Sequence, residues 1–198
     1  MIKFNNLSKD KPYKIFKELY EESLKANQRN IEAICIASYA TKNKEVNARF
    51  VNLKFINNKE FIFFSNYNSP KSRDFNSHDQ ITALIYWNSI NVQIRMKAKI
   101  YKTDSNFNQE YFTNRDQKKN ALAISSDQSM EISSYKDVQE RYNQTLNKED
   151  LMKCPNYWGG FAFLPFYFEF WTGHESRINK REVFDKIDGV WKHSFLQP

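Results

Sequence analysis

The 198 residues are enough for one domain with a sizeable core and too few for two. Hydrophobic residues make up 40%, including 17 Phe, 11 Tyr and 4 Trp, and the low count of 4 Gly and 5 Pro excludes a low-complexity chain. A formal charge of +7 favours anionic partners; it is spread along the chain with no helix-turn-helix, zinc-finger or RNP motif, so it does not single out nucleic acid, and a phosphate-bearing ligand fits at least as well.

From the N-terminus, Ile15, Phe16, Leu19, Tyr20 and Leu24 recur at helical spacing behind Asp10 and Pro12, which predicts an opening helix over about residues 12–27. The pattern then turns to strands at Ile31–Tyr39, Val46–Lys54, Glu60–Ser65 and Gln80–Trp87, separated by Asn-, Lys- and Ser-rich turns. The clearest strand is Ile90–Ile100, where Ile90, Val92, Ile94, Met96, Ala98 and Ile100 alternate with polar residues. Helical spacing returns with Phe107, Tyr111 and Phe112, and again with Val138, Tyr142 and Leu146 behind Ser134-x-x-Asp137. The aromatic run Tyr157–Trp171 and a hairpin, Arg181–Lys186 and Val190–Phe195 about Asp188-Gly189, close the chain. Many strands without β-α alternation predict a mainly β fold with flanking helices, a closed or nearly closed antiparallel barrel spanning 1–198 as one domain.

No apolar run approaches the roughly 18 residues of a membrane span, and Met1-Ile2-Lys3-Phe4-Asn5 has no signal-peptide core, so a cytoplasmic protein off the membrane is expected. Cys35 and Cys154 lack CxxC spacing and read as plain thiols. His78, His174 and His193 lie far apart, so no metal site is expected. GxSxG, P-loop and GxGxxG patterns are absent. What remains is a set of basic and polar residues at strand ends and turns, Arg49, Lys54, Ser65, Lys71 and Gln93, which together have the donors to hold a phosphate dianion; singly, each reads as an ordinary solvated group.

Order and spacing add a resemblance. Arg49-Phe-Val-Asn-Leu-Lys54, Phe63-Phe64-Ser65-Asn66, Ser69-Pro70-Lys71, Val92-Gln93-Ile94-Arg95, Tyr111-Phe112-x-x-Arg115, Gln128-Ser129, Trp158-Gly159-Gly160-Phe161 and Glu169-Phe170-Trp171-x-Gly173 with Arg177-x-Asn179-x-Arg181 resemble, in register, the motifs of the pyridoxamine 5′-phosphate oxidase family. The resemblance implies an FMN-binding split antiparallel β-barrel, a homodimer with two FMN sites at the subunit interface, and oxidation of pyridoxine or pyridoxamine 5′-phosphate by oxygen. It assigns Arg49, Lys71, Gln128 and Ser129 to the flavin phosphate and ribityl chain, helped by backbone along Phe50, Val51, Asn52 and Leu53. Lys54, Phe64, Ser65, Gln93, Trp171 and Arg181 complete the flavin pocket. Substrate would meet Lys54, Tyr111, Arg115 and Lys119, with Arg177 and Asn179 at the reacting ring.

Four departures from the family's pattern stand out. Pro70 replaces an arginine beside the flavin phosphate, Lys119 a serine at the substrate phosphate, and Asn179 a histidine that can titrate; Ala121-Leu122-Ala123-Ile124 replaces I-G-A-W. Three readings therefore compete with the oxidase: a split-barrel flavoprotein acting on another anionic substrate, a non-catalytic FMN or pyridoxal phosphate binder, and a basic nucleic-acid module.

Overall fold

The computed structural model describes residues 1–198, the side chain of Lys148 excepted. Its strands are β1 (Lys3–Asn5), β2 (Ala33–Ala40), β3 (Glu45–Asn57), β4 (Glu60–Asn66), β5 (Gln80–Trp87), β6 (Val92–Lys102), β7 (Trp158–Thr172), β8 (Lys180–Ile187) and β9 (Val190–Phe195). The helices are α1 (Lys11–Lys25), α2 (Pro70–Ser77), α3 (Ser105–Thr113), α4 (Gln117–Ser125) and α5 (Tyr135–Lys148). Strands β3, β2, β5, β6, β7 and β4 pair in that order, and β4 returns to β3, which closes a six-stranded antiparallel barrel. β8 and β9 extend the sheet from the far half of β7, and β1 runs parallel to the end of β3. The fold is the expected mainly β split barrel with flanking helices.

β6 shows why the barrel closes. Val92, Ile94, Met96, Ala98 and Ile100 are all buried and the residues between them are not, so one face supplies core and the other stays wet. Phe61, Phe63, Phe161, Phe163 and Phe168 fill the interior in stacked and tilted contacts, and burying each side chain contributes about 2–3 kcal/mol of transfer free energy. Ile90, expected to open this strand, sits in a 3-10 turn over Asn88–Ile90, because Asn91 takes a left-handed conformation (φ 53) before the strand begins.

α1 covers one part of this core, but through a face rotated from the expected one. Tyr13, Phe16 and Tyr20 are buried, and Phe16 packs edge-on to Phe61 (5.0 Å) and Trp87 (5.5 Å), whereas Leu24 is exposed. The helix ends at Lys25 rather than 27. Asn27 (φ 55) is left-handed, and the Gln28 N–H bonds the Ser23 carbonyl, a Schellman ending. α2 corrects a segment expected to be a turn: Ser69 and Pro70 occupy the cap and first helical positions, where proline's fixed φ and missing N–H suit a helix start. α5 opens as expected, with Ser134 Oγ accepting the Asp137 N–H at 3.1 Å. Asp188 (φ 51) and Gly189 (φ 81) make the tight β8–β9 turn, which needs two positive φ angles. Among the described residues, no helix is long and apolar enough to cross a membrane. Both cysteines are free thiols, and burial pushes Cys154 up to about 11.

Candidate functional site

The barrel leaves a cavity of about 350 Å³ on the outer side of β3 and β4, roofed by α3, α4 and the loop after α4. β3 contributes Phe50, Val51, Asn52 and Lys54; β4 contributes Phe64 and Ser65; α2 adds Lys71. Tyr111 of α3, Arg115 and Asp116 of the next turn, Lys119 of α4, Gln128 and Trp158 complete the wall. Lys54 reaches it through a β-bulge. Leu53 pairs with Phe63 and Phe55 with Ile62, so Lys54 is the extra residue, and the core positions Leu53 and Ile56 fall three apart instead of two. The bulge turns a cation into the cavity without breaking the core stripe.

Lys71 is a buried cation whose hydrogen-bond partners carry no charge. It is 9% exposed, and its Nζ donates to Ser65 Oγ (3.0 Å), Ser69 Oγ (3.2 Å) and Gln128 Oε1 (3.1 Å), all neutral oxygens. Burial, reinforced by the nearby Arg49 charge, pushes its ammonium down to about 8. Beside it on α2, the buried Ser72 hydroxyl has no partner among the described residues. A buried lysine held only by neutral acceptors is a half-made ion pair, complete once an anion arrives. Arg49 itself does not line the cavity: its Nη1 donates to Ser38 Oγ (2.7 Å) and the Ile36 carbonyl (3.1 Å), and its Nη2 lies 3.5 Å from Asp74. Leu53 is wholly in the core.

A second set of cations, Lys54, Arg115 and Lys119, meets on the same cavity. Burial lowers both Lys54 and Arg115, and Lys119 and Arg115 lower Lys54 further. Glu32 opposes this from 3.9 Å, while Asp116 accepts the Lys119 N–H at the start of α4 and its charge offsets part of the burial of Arg115. Arg115 Nη1 is buried with no partner among the described residues. Between the cations stands an aromatic stack: Phe64 lies 3.8 Å from Tyr111 and 5.2 Å from Trp158, all three rings near parallel. Burial raises the Tyr111 phenol, keeping it a protonated donor at neutral pH.

The structure places the other expected site residues elsewhere. Gln93, Trp171 and Arg181 lie side by side across β6, β7 and β8, and none of them lines the cavity. Arg181 donates through Nε and Nη2, each at 2.8 Å, to Glu169, a 3% exposed carboxylate also gripped by Arg95 and by the Tyr167 hydroxyl (3.0 Å). Burial alone would raise Glu169, but the hydrogen bonds from Arg181, Arg95 and Tyr167 outweigh it and hold it below the usual carboxylate range. Arg177 is exposed in a left-handed conformation (φ 60). Asn179 Oδ1 accepts the His174 N–H at 3.0 Å, which ties down the loop that carries Arg177. Ser129 (φ 69) follows Gln128 but faces a neighbouring cleft with Asp127 and Arg141.

The sequence reading assigned no role to several residues that build the site. Ser69 had a signal in the Ser-Pro helix start, and Trp158 and Glu169 stood in quoted motifs; Ser38, Asp74 and Glu32 act through tertiary contacts that no local pattern marks.

A split barrel whose outer cavity gathers the buried Lys71 and, apart from it, the half-buried Lys54 and Arg115 with the exposed Lys119 around an aromatic stack has the chemistry to receive anionic ligands. Comparison with known proteins narrows the class. Residues 158–198 match the pyridoxine 5′-phosphate oxidase C-terminal dimerisation region. The chain is 34% identical over 194 residues to the pyridoxine/pyridoxamine 5′-phosphate oxidase of Christiangramia forsetii, covering 96% of this chain and 89% of that one. It is 31% identical over 192 residues to the oxidase of Leptospira interrogans, covering 94% and 88%. In structure it is similar to PhzG from Burkholderia lata, solved with tetrahydrophenazine-1-carboxylic acid (TM-score 0.89, 22% identity, 94% and 92% covered), and to a pyridoxamine 5′-phosphate oxidase-related, FMN-binding protein from Nostoc punctiforme (0.76, 11%, 92% and 97%). The chain belongs to the pyridoxine/pyridoxamine 5′-phosphate oxidase family.

Proposed function

We propose that the protein is an FMN-dependent oxidase that converts pyridoxine or pyridoxamine 5′-phosphate to pyridoxal 5′-phosphate, working as a cytoplasmic homodimer of single-domain chains. The carrying observation is that one cavity holds Lys71 among neutral oxygens and, apart from it, three cations, Lys54, Arg115 and Lys119, with Glu32 the one acid in ion-pair range among the described residues, which suits one phosphate on the cofactor and one on the substrate. Lys71, with Ser65 and Gln128 preset around it, fits the flavin phosphate; Lys54, Arg115, Lys119 and the Tyr111 hydroxyl fit the substrate's. FMN held there would supply the redox chemistry, the two-electron oxidation of the substrate coupled to reduction of oxygen to hydrogen peroxide. The chain's own residues bind and orient: Lys54 and Arg115 fix the phosphate so that the substrate ring cannot slide, and the aromatic wall keeps water from that side. With the amine substrate, water then releases ammonia.

The dimer completes the site in this reading. Phe50 lines the cavity yet is 75% exposed, an apolar edge suited to cover by a second chain. Gln93, Trp171, Arg177, Asn179 and Arg181 form a group outside the cavity, as a half-site offered to a partner would. The match of residues 158–198 to a dimerisation region supports the same arrangement. One observation favours a second reading, a flavoprotein acting on another anionic compound: Asn179 replaces the family's histidine and its carbonyl oxygen is committed to His174. Anaerobic mixing of FMN-loaded protein with pyridoxine 5′-phosphate separates the two. The oxidase reading expects flavin absorbance to bleach with this substrate and not with unphosphorylated pyridoxine; an unbleached flavin moves the assignment to the second reading.

A further inference from the structure

We propose that Trp158 is a positioning residue, whose indole holds the Arg115 guanidinium open for the ligand's phosphate. The inference rests on the phosphate reading of this cavity. Arg115 Cζ lies 4.6 Å from the Trp158 ring centroid and 5.8 Å from that of Phe112. Its side chain makes no hydrogen bond or ion pair among the described residues, and Nη1 is buried without a partner. A half-buried arginine is ordinarily fixed by a carboxylate, but a carboxylate here would consume both the charge and the planar fork that a phosphate needs. The nearest acid in sequence, Asp116, caps α4 instead. The face of an indole attracts the cation while leaving every N–H free, and a desolvated cation–π contact is strong enough to set one rotamer.

Trp158 is itself rigidly set. It is 6% exposed, stacks on Phe64 at 5.2 Å and 13°, and meets Phe112 edge-on at 5.0 Å. Its backbone is fixed in β7 opposite Asn66, and Gly159 follows because a Cβ there would lie 2.2 Å from the Tyr67 hydroxyl. The glycines thus let Tyr67 and Asn108 lock the strand directly after the indole, through Asn108 Nδ2 to Tyr67 Oη (3.0 Å) and Gly160 N to Asn108 Oδ1 (2.8 Å).

The test measures dissociation constants of FMN-loaded protein for pyridoxal 5′-phosphate, pyridoxal and inorganic phosphate in wild type, Trp158→Phe and Trp158→Leu. Positioning expects Trp158→Leu to weaken both phosphate-bearing probes about tenfold while pyridoxal and FMN binding stay within twofold, and Trp158→Phe to recover most of the loss. Equal weakening of pyridoxal and its phosphate, or no change in either phosphate probe, overturns it. Should the leucine variant fail to fold, Trp158→Met, which also lacks an aromatic face, is combined with Arg115→Lys: a unit gives non-additive losses in phosphate affinity, and strict additivity overturns the proposal. Trp158-dependent phosphate binding in a protein that turns over no pyridoxine phosphate would sink the oxidase reading and leave the positioning role standing; wild type that binds no phosphate probe sinks both.

Discussion

Replacing Lys71 by methionine tests the proposed flavin end of the site. Its ammonium titrates at about 8 instead of 10.5 because it is buried among neutral oxygens beside Arg49. Discounted for residual solvent screening, that shift means the ligand-free protein gives up about 2 kcal/mol to hold the charge at pH 7. The folded pKa lies below the unfolded one, so the unfolded chain binds more protons between pH 8 and 10.5. Ligand-free stability should therefore rise with pH across that window, and the deficit is fully present below pH 8. A phosphate reverses the balance, because it binds the cation and draws the pKa back up. FMN should bind best below pH 8, with a dissociation constant that rises about tenfold from pH 7 to pH 9. Lys71→Met should remove that slope and cost about 2–3 kcal/mol of affinity, roughly 30- to 160-fold. Quenching of flavin fluorescence by apoprotein reads both. A flat wild-type profile, or a slope that survives in the variant, refutes the reasoning.

Restoring an arginine with Pro70→Arg adds donors at the start of α2, next to Lys71, and should tighten FMN about tenfold in the same titration. Gly159→Ala would place a methyl 2.2 Å from Tyr67 Oη and 2.4 Å from Asn108 Nδ2; a loss of about 2 kcal/mol, or about 6 °C in thermal melting, is expected. The shared site is tested by mixing chains: Lys54→Met and Arg177→Ala homodimers should each be nearly inactive, and co-refolded in equal amounts should recover about a quarter of wild-type turnover, since half the dimers are hybrids with one intact site in two. No recovery would place both halves of the site in one chain.

What could be read in advance follows from how local each signal is. β6 and the β8–β9 hairpin were legible because strict alternation and Asp188-Gly189 each specify a conformation by themselves. The α1 face was misjudged because leucines and aromatics compete for the same stripe, and the barrel selected Tyr13, Phe16 and Tyr20. α2 hid behind Ser69-Pro70, a pair that opens turns and helices alike. In the site, single charges look like solvated ones, and only the order of motifs gathered Lys54, Lys71, Arg115 and Gln128 into one expectation; the structure gives them one cavity. The bulge at Lys54 left a trace in the spacing of Leu53 and Ile56, but only once the core face is known. The separation of Trp171 and Arg181 from that cavity depends on the order in which strands close the barrel, which no local pattern records.

The most direct measurement is an aerobic assay of purified, FMN-supplemented protein with pyridoxine 5′-phosphate, following pyridoxal 5′-phosphate by absorbance and hydrogen peroxide by a coupled peroxidase. The account predicts the two products in equal amounts over many turnovers. Protein that retains flavin yet forms neither product would contradict it.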